Sequence, residues 1–333
     1  MKRKQSGLRI MSRLIVLVKP LSGFMCLAVL LGVLGFLCAI QITVTGSLTL
    51  LTAAKISGGI AIKTGCICII IFAVLRGFLH YGEQACNHYI AFKLLALIRD
   101  KVFKAMRRLS PAKLEGKDKG NLVSVITSDI ELLEVFYAHT ISPTCIAILT
   151  CLIMLIFIGR YSIWLSLVAL AAYIMVGAVI PLVSSRLNKN AGMTYRDGSG
   201  ALSGFVLDSM RGLLESIRYN STDKRLEEMD KKTDELNSLQ DRLKKIEGHT
   251  GAVTDIAIIF FSVAMLLTGI ALYQKGVIGF DGMIVSTVSM MSSFGPVAAL
   301  SGLAGNLTHT LAAGERVLGI LDENPVVEEN IDG

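Results

Sequence analysis

The chain has 333 residues, 53% hydrophobic and only 18% charged, with a formal net charge of +7 and a mean hydropathy of +0.61. That balance excludes an ordinary soluble domain and points to an integral membrane protein. The surplus of positive charge is accounted for by membrane topology and anionic headgroups, so no nucleic-acid partner is expected.

Residues 1–19 read as a first unit, a basic amphipathic elbow helix. Leu8, Met11, Leu14, Ile15 and Val18 share a stripe that would lie along the inner headgroups before the chain turns at Pro20. A hydrocarbon core about 30 Å thick takes roughly 20 apolar residues per helix. Six stretches meet that length between residues 20 and 311. They are 21–54, 64–81, 140–159, 161–185, 249–274 and 282 to about 310. The first is too long for a cleavable leader and lacks an A-x-A-like exit.

Lys2, Arg3, Lys4, Arg9, Arg13 and Lys19 precede the first span with no acidic residue among them. Positive segments stay inside, so the N-terminus is expected in the cytoplasm and, after six crossings, the C-terminus too. The long, charged segments after spans two and four would also be cytoplasmic. The seven cysteines lack zinc or redox spacing and read as small packing residues, with Cys66-x-Cys68 the one close pair.

The helical period does not stop at the membrane. Phe92, Leu95, Arg99, Phe103 and Met106 carry it to Leu109, where Ser110-Pro111 ends it. Span four runs on to about Met210. Span five is preceded by a charged helix, 224–247, with Leu226, Met229, Leu236, Leu239, Leu243 and Ile246 as a rough apolar seam. The fold expected is therefore all-α, six membrane helices with long cytoplasmic extensions. Each excursion is broken once, at Gly116–Asn121 before Leu122-Val123-Ser124, and at Arg211-Gly212 before Leu213-Leu214-Glu215. By pattern alone these are helical hairpin tips.

Along the helix of span two and just beyond the span, Arg76, His80, Glu83 and Asn87 are spaced by four, three and four and share one helix face. Charge at membrane depth is costly unless paired or wet, so this face reads as a substrate-cavity wall for an anionic or zwitterionic solute. The bland alternative is a structural Arg76–Glu83 pair with His80 between. Asp255 in span five is a further possible partner for Arg76. His88 lies roughly 80° round the helix from His80. His309 in span six reads as a core residue. Pro181 and Pro296, the latter after Ser293-Phe294-Gly295, interrupt spans four and six and are candidate hinges or static kinks. There is no catalytic constellation, no metal site and no G-x-x-x-x-G-K-[ST] loop; Ile56-Ser57-Gly58-Gly59 falls in an outer loop.

Three motifs in order resemble type I ABC exporters. Gly120-Asn121-Leu122 with Thr127-Ser128-Asp129 is similar to the first coupling-helix region, and Gly212–Asn220 to the second. Ala312-Ala313-Gly314-Glu315-Arg316-Val317 with Ile320-Leu321-Asp322 is similar to the strap toward the ATPase domain, a linker unit at 312–333. Tyr81-Gly82-Glu83-Gln84-Ala85-Cys86-Asn87-His88 through Phe92, then Leu109-Ser110-Pro111-Ala112, resembles the CydC-type half of the CydDC thiol exporters. Gln84, Tyr89 and His80 depart from that family's Arg, Asp and Arg.

The resemblance implies a plasma or inner membrane permease that moves a small solute outward by alternating access. Cysteine or glutathione is the CydC-like cargo, with a lipid, peptide or drug as the alternative. A non-transporting sensor or a haem-binding membrane protein is the remaining option. It implies ATP and Mg on a nucleotide-binding domain supplied by a separate chain or a continuation of this one, since this chain alone cannot hydrolyse ATP. A second transmembrane half, identical or not, would complete the dimer. Asn121, Leu122, Ser124, Leu213, Leu214 and Glu215 inherit the coupling role, and His88 the position of a haem-linked histidine.

Overall fold

The computed structural model describes residues 7–56, 59–110, 125–187, 191–301 and 304–325. These residues form helices joined by turns, with no strand among them. Helix α1, Gly7–Leu17, leads through a 3₁₀ turn at Lys19–Leu21, where Pro20 sits in the first turn that has no need of its N–H. Helix α2, Ser22–Ala53, is long and apolar enough to cross a membrane. It ends at Ala54 and Lys55, the latter at a positive φ of 58° that closes the turn. Helix α3, Ile62–Leu109, then runs unbroken for 48 residues. At about 1.5 Å per residue it is more than twice as long as the hydrocarbon core is thick. It stops where the sequence says it should: Ser110, held extended at ψ 149° ahead of Pro111, cannot continue the helix.

Past a π turn at Val125–Asp129 come α4, Ile130–Phe136, a second π turn at Tyr137–Ile141, and α5, Ser142–Gly159. Helix α6, Ile163–Ile174, passes through a π turn at Met175–Val179 into α7, Ile180–Leu187. Two of these wide turns end two residues before a proline, Pro143 and Pro181. Proline has no N–H to give, and its ring crowds the carbonyl four residues back. The extra residue in the turn relieves that crowding.

Among the described residues, six helical segments are long and apolar enough to cross a membrane: Lys19–Ala53, Ile62–Leu109, Ser142–Gly159, Ile163–Arg186, Thr222–Gln274 and Phe280–Leu300. They are the six spans expected, and the protein is an all-α, multi-pass membrane protein. The charged helix and the fifth span prove to be one helix, α10, of 53 residues. Its leg pairs with α8, Ala191–Arg211, and Leu236 and Leu239 of the anticipated seam pack on Gly198. Phe205 of α8 lies under Arg225 and Lys232, at 5.6 and 5.4 Å from the ring centre, a cation–π pinch that pins the hairpin. Helix α11, Phe280–Ser301, and α12, Ala304–Leu321, are the last of the described helices, and the segment around Ala312 is helical.

Two apolar cores hold the bundle. At the leg end, Leu14, Ile90, Leu94, Ile98, Ile130, Leu133 and Val317 gather α1, α3, α4 and α12. At the short-loop end, Ile40, Met154, Leu165, Ala169, Met265 and Met290 gather the other spans. The elbow helix differs from expectation. Ile10, Leu14 and Val18 are buried in protein, whereas Ile15 and Val16 face outward. One stripe thus serves the core and its neighbour the surroundings, because α12 approaches closely at Gly314, where a Cβ would stand 2.9 Å from Leu14 Cδ1.

Candidate functional site

Helix α3 is the outermost wall of the bundle. Only 6% of its apolar window is buried, against 56% for the span in α11. Because most of α3 faces away from its own bundle, polar residues at successive turns can have different surroundings. Arg76 and His80 lie on the exposed side. Glu83 and Asn87 turn inward and are 6% and 4% exposed. Glu83 Oε2 lies 3.2 Å from His80 Nδ1 and Asn87 Nδ2 reaches Glu83 Oε1 at 3.5 Å. The Arg76–Glu83 pair is not formed, and Arg76 makes no ion pair with Asp255. Both carboxylates lie elsewhere: Glu83 is drawn into the bundle, and Asp255 is exposed on α10.

What admits Glu83 is Gly32 on α2. A Cβ there would collide with Ile146 Cδ1 of α5 and stand 3.3 Å from the Glu83 carboxyl carbon. Gly32 escaped notice in the sequence, although a lone glycine in an apolar helix is the available signal for close helix approach. One turn nearer the legs, Asn87 Oδ1 and Ser142 Oγ are buried without a hydrogen-bond partner.

His88 is exposed, with the Phe92 ring stacked at 6.2 Å and 21°. Next to it Tyr89 packs on Phe24 at 4.7 Å. A single imidazole on an open helix face does not enclose a macrocycle, and the residues here do not by themselves fit haem. Among the described residues no group of three or more His, Cys, Asp or Glu could hold a metal. His309 lies outside the described side chains.

The second hairpin tip is α9, Leu213–Arg218, six residues between α8 and α10. Gly212 opens it and Asn220, at φ 50°, closes it in a conformation that Asn tolerates better than most residues. Leu213, Leu214 and Ile217 are 50–73% exposed, Tyr219 also stands out, and Glu215 pairs with Arg218 at 3.6 Å. Apolar side chains projected at the far end of a charged leg form a contact surface. Asn121, Leu122 and Ser124 of the first tip lie outside the described residues.

The end of that first excursion is anchored by a pair that went unremarked in the sequence. Asp129, 1% exposed, receives a short hydrogen bond from Arg316 of α12. Burial pushes the Asp129 carboxyl above its usual range, and the Arg316 guanidinium opposes that shift. Asp322 grips Arg13 of the elbow, and Arg108 at the end of α3 donates to Glu323 O at 3.4 Å. Tyr137 donates to Leu14 O at 2.8 Å, and burial raises its phenol.

The segments that carry the two hinge candidates meet one turn from Pro181. The π turn before Pro181 includes Gly177, where a Cβ would be 2.8 Å from Val297 Cγ1, next to Pro296. Four residues earlier, Tyr173 is hydrogen-bonded to Ser293 at 2.5 Å and packs edge-on against Phe294.

The ABC transporter transmembrane region matches residues 24–297. A probable ABC transporter ATP-binding/permease protein of Haemophilus influenzae is 42% identical over 98% of this chain and 59% of its own length. The glutathione/L-cysteine transport system ATP-binding/permease protein CydC of the same organism is 23% identical over 78% of this chain and 45% of its own. An ATP-dependent lipid A-core flippase of Shewanella frigidimarina is 29% identical over 37% of this chain and 20% of its own. The chain therefore spans less than two thirds of the relatives it matches. By the match over residues 24–297 and the 42% identity along nearly its whole length, the chain belongs to the ABC transporter transmembrane region family.

Proposed function

We propose that this chain is the membrane half of an ATP-driven exporter for a small zwitterionic or anionic solute, cysteine or a glutathione-like thiol peptide. The carrying observation is the exposed Arg76–His80 face within an otherwise apolar span, which supplies a cationic and a hydrogen-bonding group at membrane depth. Long apolar walls of α3 on either side, Ile70, Ile71, Val74 and Phe78 among them, suit lipid on one side and a second transmembrane half on the other. The termini and legs lie in the cytoplasm, where the basic N-terminal segment is retained.

Nucleotide-binding domains would grip the two hairpin tips. Leu213 and Leu214 supply apolar contact and Glu215 a charge at the second, with Asn121, Leu122 and Ser124 at the first. The α8–α10 leg then acts as a lever, since a continuous hydrogen-bonded helix transmits a push along its axis. Bending where the Pro181 and Pro296 segments meet would change the face presented to each side. Haem at His88 is kept only as a role that a partner half would have to complete.

A lipid-moving reading has one observation of its own. An apolar groove of about 510 Å³ between α6 and α10, lined by Leu167, Ala171, Phe261 and Ala264, ends at Trp164 and Lys275. That pattern suits an acyl chain with a headgroup at the rim. The test is ATP-driven uptake of labelled cysteine and glutathione into inverted vesicles holding the complete transporter. Uptake whose KM rises at least tenfold in Arg76→Ala supports the thiol reading. ATP-driven lipid movement without thiol uptake overturns it in favour of the groove.

A further inference from the structure

We infer that the cleft between α7 and α10, where the bundle passes into its legs, binds an anionic phospholipid, with an acyl chain inside and the phosphate headgroup among the cations at its mouth. The cleft has a volume of about 370 Å³, within the range of small-molecule sites. It lies at the opposite end of the apolar part of α10 from the groove at Trp164 and Lys275.

Its walls follow from helix periodicity. On α10 it is lined by Ile246, His249, Thr250 and Val253, which share one face. Opposite them, Val179 is the last residue of the π turn, and Val183 and Ser184 follow on α7. Wide turns of this kind inside helices recur at functional sites. The half-exposed Val179, Val183 and Val253 form the open side.

Charge sets its level in the bilayer. From Tyr161 to Ser185 there is no Asp, Glu, Lys or Arg, and Arg186 is the first cation on that side. On α10 the charges of the leg end at Glu247, and between there and Lys275 the one such residue is Asp255. The cleft therefore straddles the boundary between hydrocarbon and headgroups on the leg side.

Floor and mouth differ in chemistry. Thr250 gives its hydroxyl proton to Ile246 O at 3.0 Å, so Ser184 is the donor in the 2.7 Å bond between Ser184 and Thr250. Both protons are engaged within the protein and the rest of the floor is Val and Ile, so the interior suits hydrocarbon. The mouth suits an anion. His249 is exposed at its edge, Arg186 continues the row of Val179 and Val183, and Arg242 continues the row of Ile246 and Val253. Among the described residues none of these three has an ion-pair or hydrogen-bond partner. Glu247 is turned to Lys244 at 2.8 Å, and Asp255 falls on the opposite face of α10. Two unpaired guanidiniums and an imidazole at headgroup depth match a phosphodiester with net negative charge. A zwitterionic headgroup would bring its own cation to the same place.

The experiment needs neither ATP nor a transported solute, so its failure is separate from failure of the transport reading. The complete transporter in phosphatidylcholine nanodiscs receives a trace of phosphatidylglycerol with a diazirine in its acyl chain, and adducts are mapped after irradiation. Adducts are expected within Val179–Ser184 and Ile246–Val253, removed by excess unlabelled phosphatidylglycerol and kept under the same excess of phosphatidylcholine. Arg186→Gln is expected to weaken that competition about fivefold, the worth of one cation near an anionic surface. Val183→Trp, which fills the cleft, should abolish the adducts; if it misfolds, Val253→Trp on the facing wall takes its place. Equal competition by the two lipids, or no adducts in these segments, overturns the site. Adducts displaced by inorganic phosphate alone would mean that the mouth binds a free anion. Adducts in the isolated chain that vanish in the complete transporter would mean that the second half fills the cleft. Either result overturns the lipid assignment.

Discussion

Arg13 and Asp322, 309 positions apart in the chain, meet in a two-pronged ion pair, Nη1 to Oδ2 at 2.5 Å and Nη2 to Oδ1 at 2.6 Å. The elbow helix is thereby tied to the end of α12, and Leu14 fills the notch at Gly314 beside it. Both charges are partly exposed, at 34% and 41%. Water screens them, so Arg13→Ala is expected to cost about 1 kcal/mol or less. Leu14→Ala, which empties a fully buried position, is expected to cost about 2–4 kcal/mol. Thermal unfolding of the purified protein in one detergent ranks the two. The reverse order would mean that charge and not packing holds the elbow.

Asp129 and Arg316 should behave differently. Asp129 is buried, so Arg316→Ala strands its charge and is expected to destabilise the protein more than Arg13→Ala does. The carboxyl titrates above its usual value of about 3.9. A folded-state value above the unfolded one means that the native protein binds the proton more tightly. The contribution of Asp129 is then full below that usual value and is lost as pH rises through the higher, folded value. Asp129→Asn is expected to flatten this part of the stability–pH curve, and identical curves for the two proteins would refute the assignment.

At Gly32 the prediction concerns crowding. Gly32→Ala forces Ile146 or Glu83 aside and is expected to cost about 1–3 kcal/mol, whereas Gly23→Ala, with nothing within 4 Å, should not destabilise. Unfolding midpoints of the two variants give the comparison. Equal midpoints would show that the α2–α3 seam yields freely.

The α9 tip offers a test of coupling apart from stability. Leu214 is 73% exposed, so Leu214→Asp should leave the unfolding midpoint unchanged. In the complete transporter it is expected to reduce solute-stimulated ATP hydrolysis severalfold. Stimulation equal to that of the parent would remove α9 from the mechanism.

For His88 the open surroundings lead to a negative expectation. Added haem should give no Soret band that depends on this residue in the isolated chain. A band present in the parent and absent in His88→Ala would show that a pocket forms around it after all.

Span number, the stop at Ser110-Pro111 and the amphipathic seam of Leu236 and Leu239 were legible because each rests on local pattern. Apolar run length sets a crossing, a residue before proline leaves the helix, and a 3.6-residue period sets a buried face. The polar stripe of α3 was legible as a stripe, but its division was not. Arg76 and Glu83 share a face by spacing, yet one is exposed and the other buried. The elbow helix shows the same limit, with Leu14 and Ile15 adjacent in sequence and opposite in environment.

The sequence by itself determined that this chain crosses a membrane six times on long helices and belongs to a transporter architecture, since helix length, hydropathy and local breaks are properties of contiguous residues. Only the tertiary structure decided that Glu83 pairs with His80 and not with Arg76, that Asp129 meets Arg316, and that the Pro181 and Pro296 segments touch. Those choices depend on where Gly32, Gly177 and Gly314 let helices approach, and the distance between two helix backbones is not encoded in either helix alone.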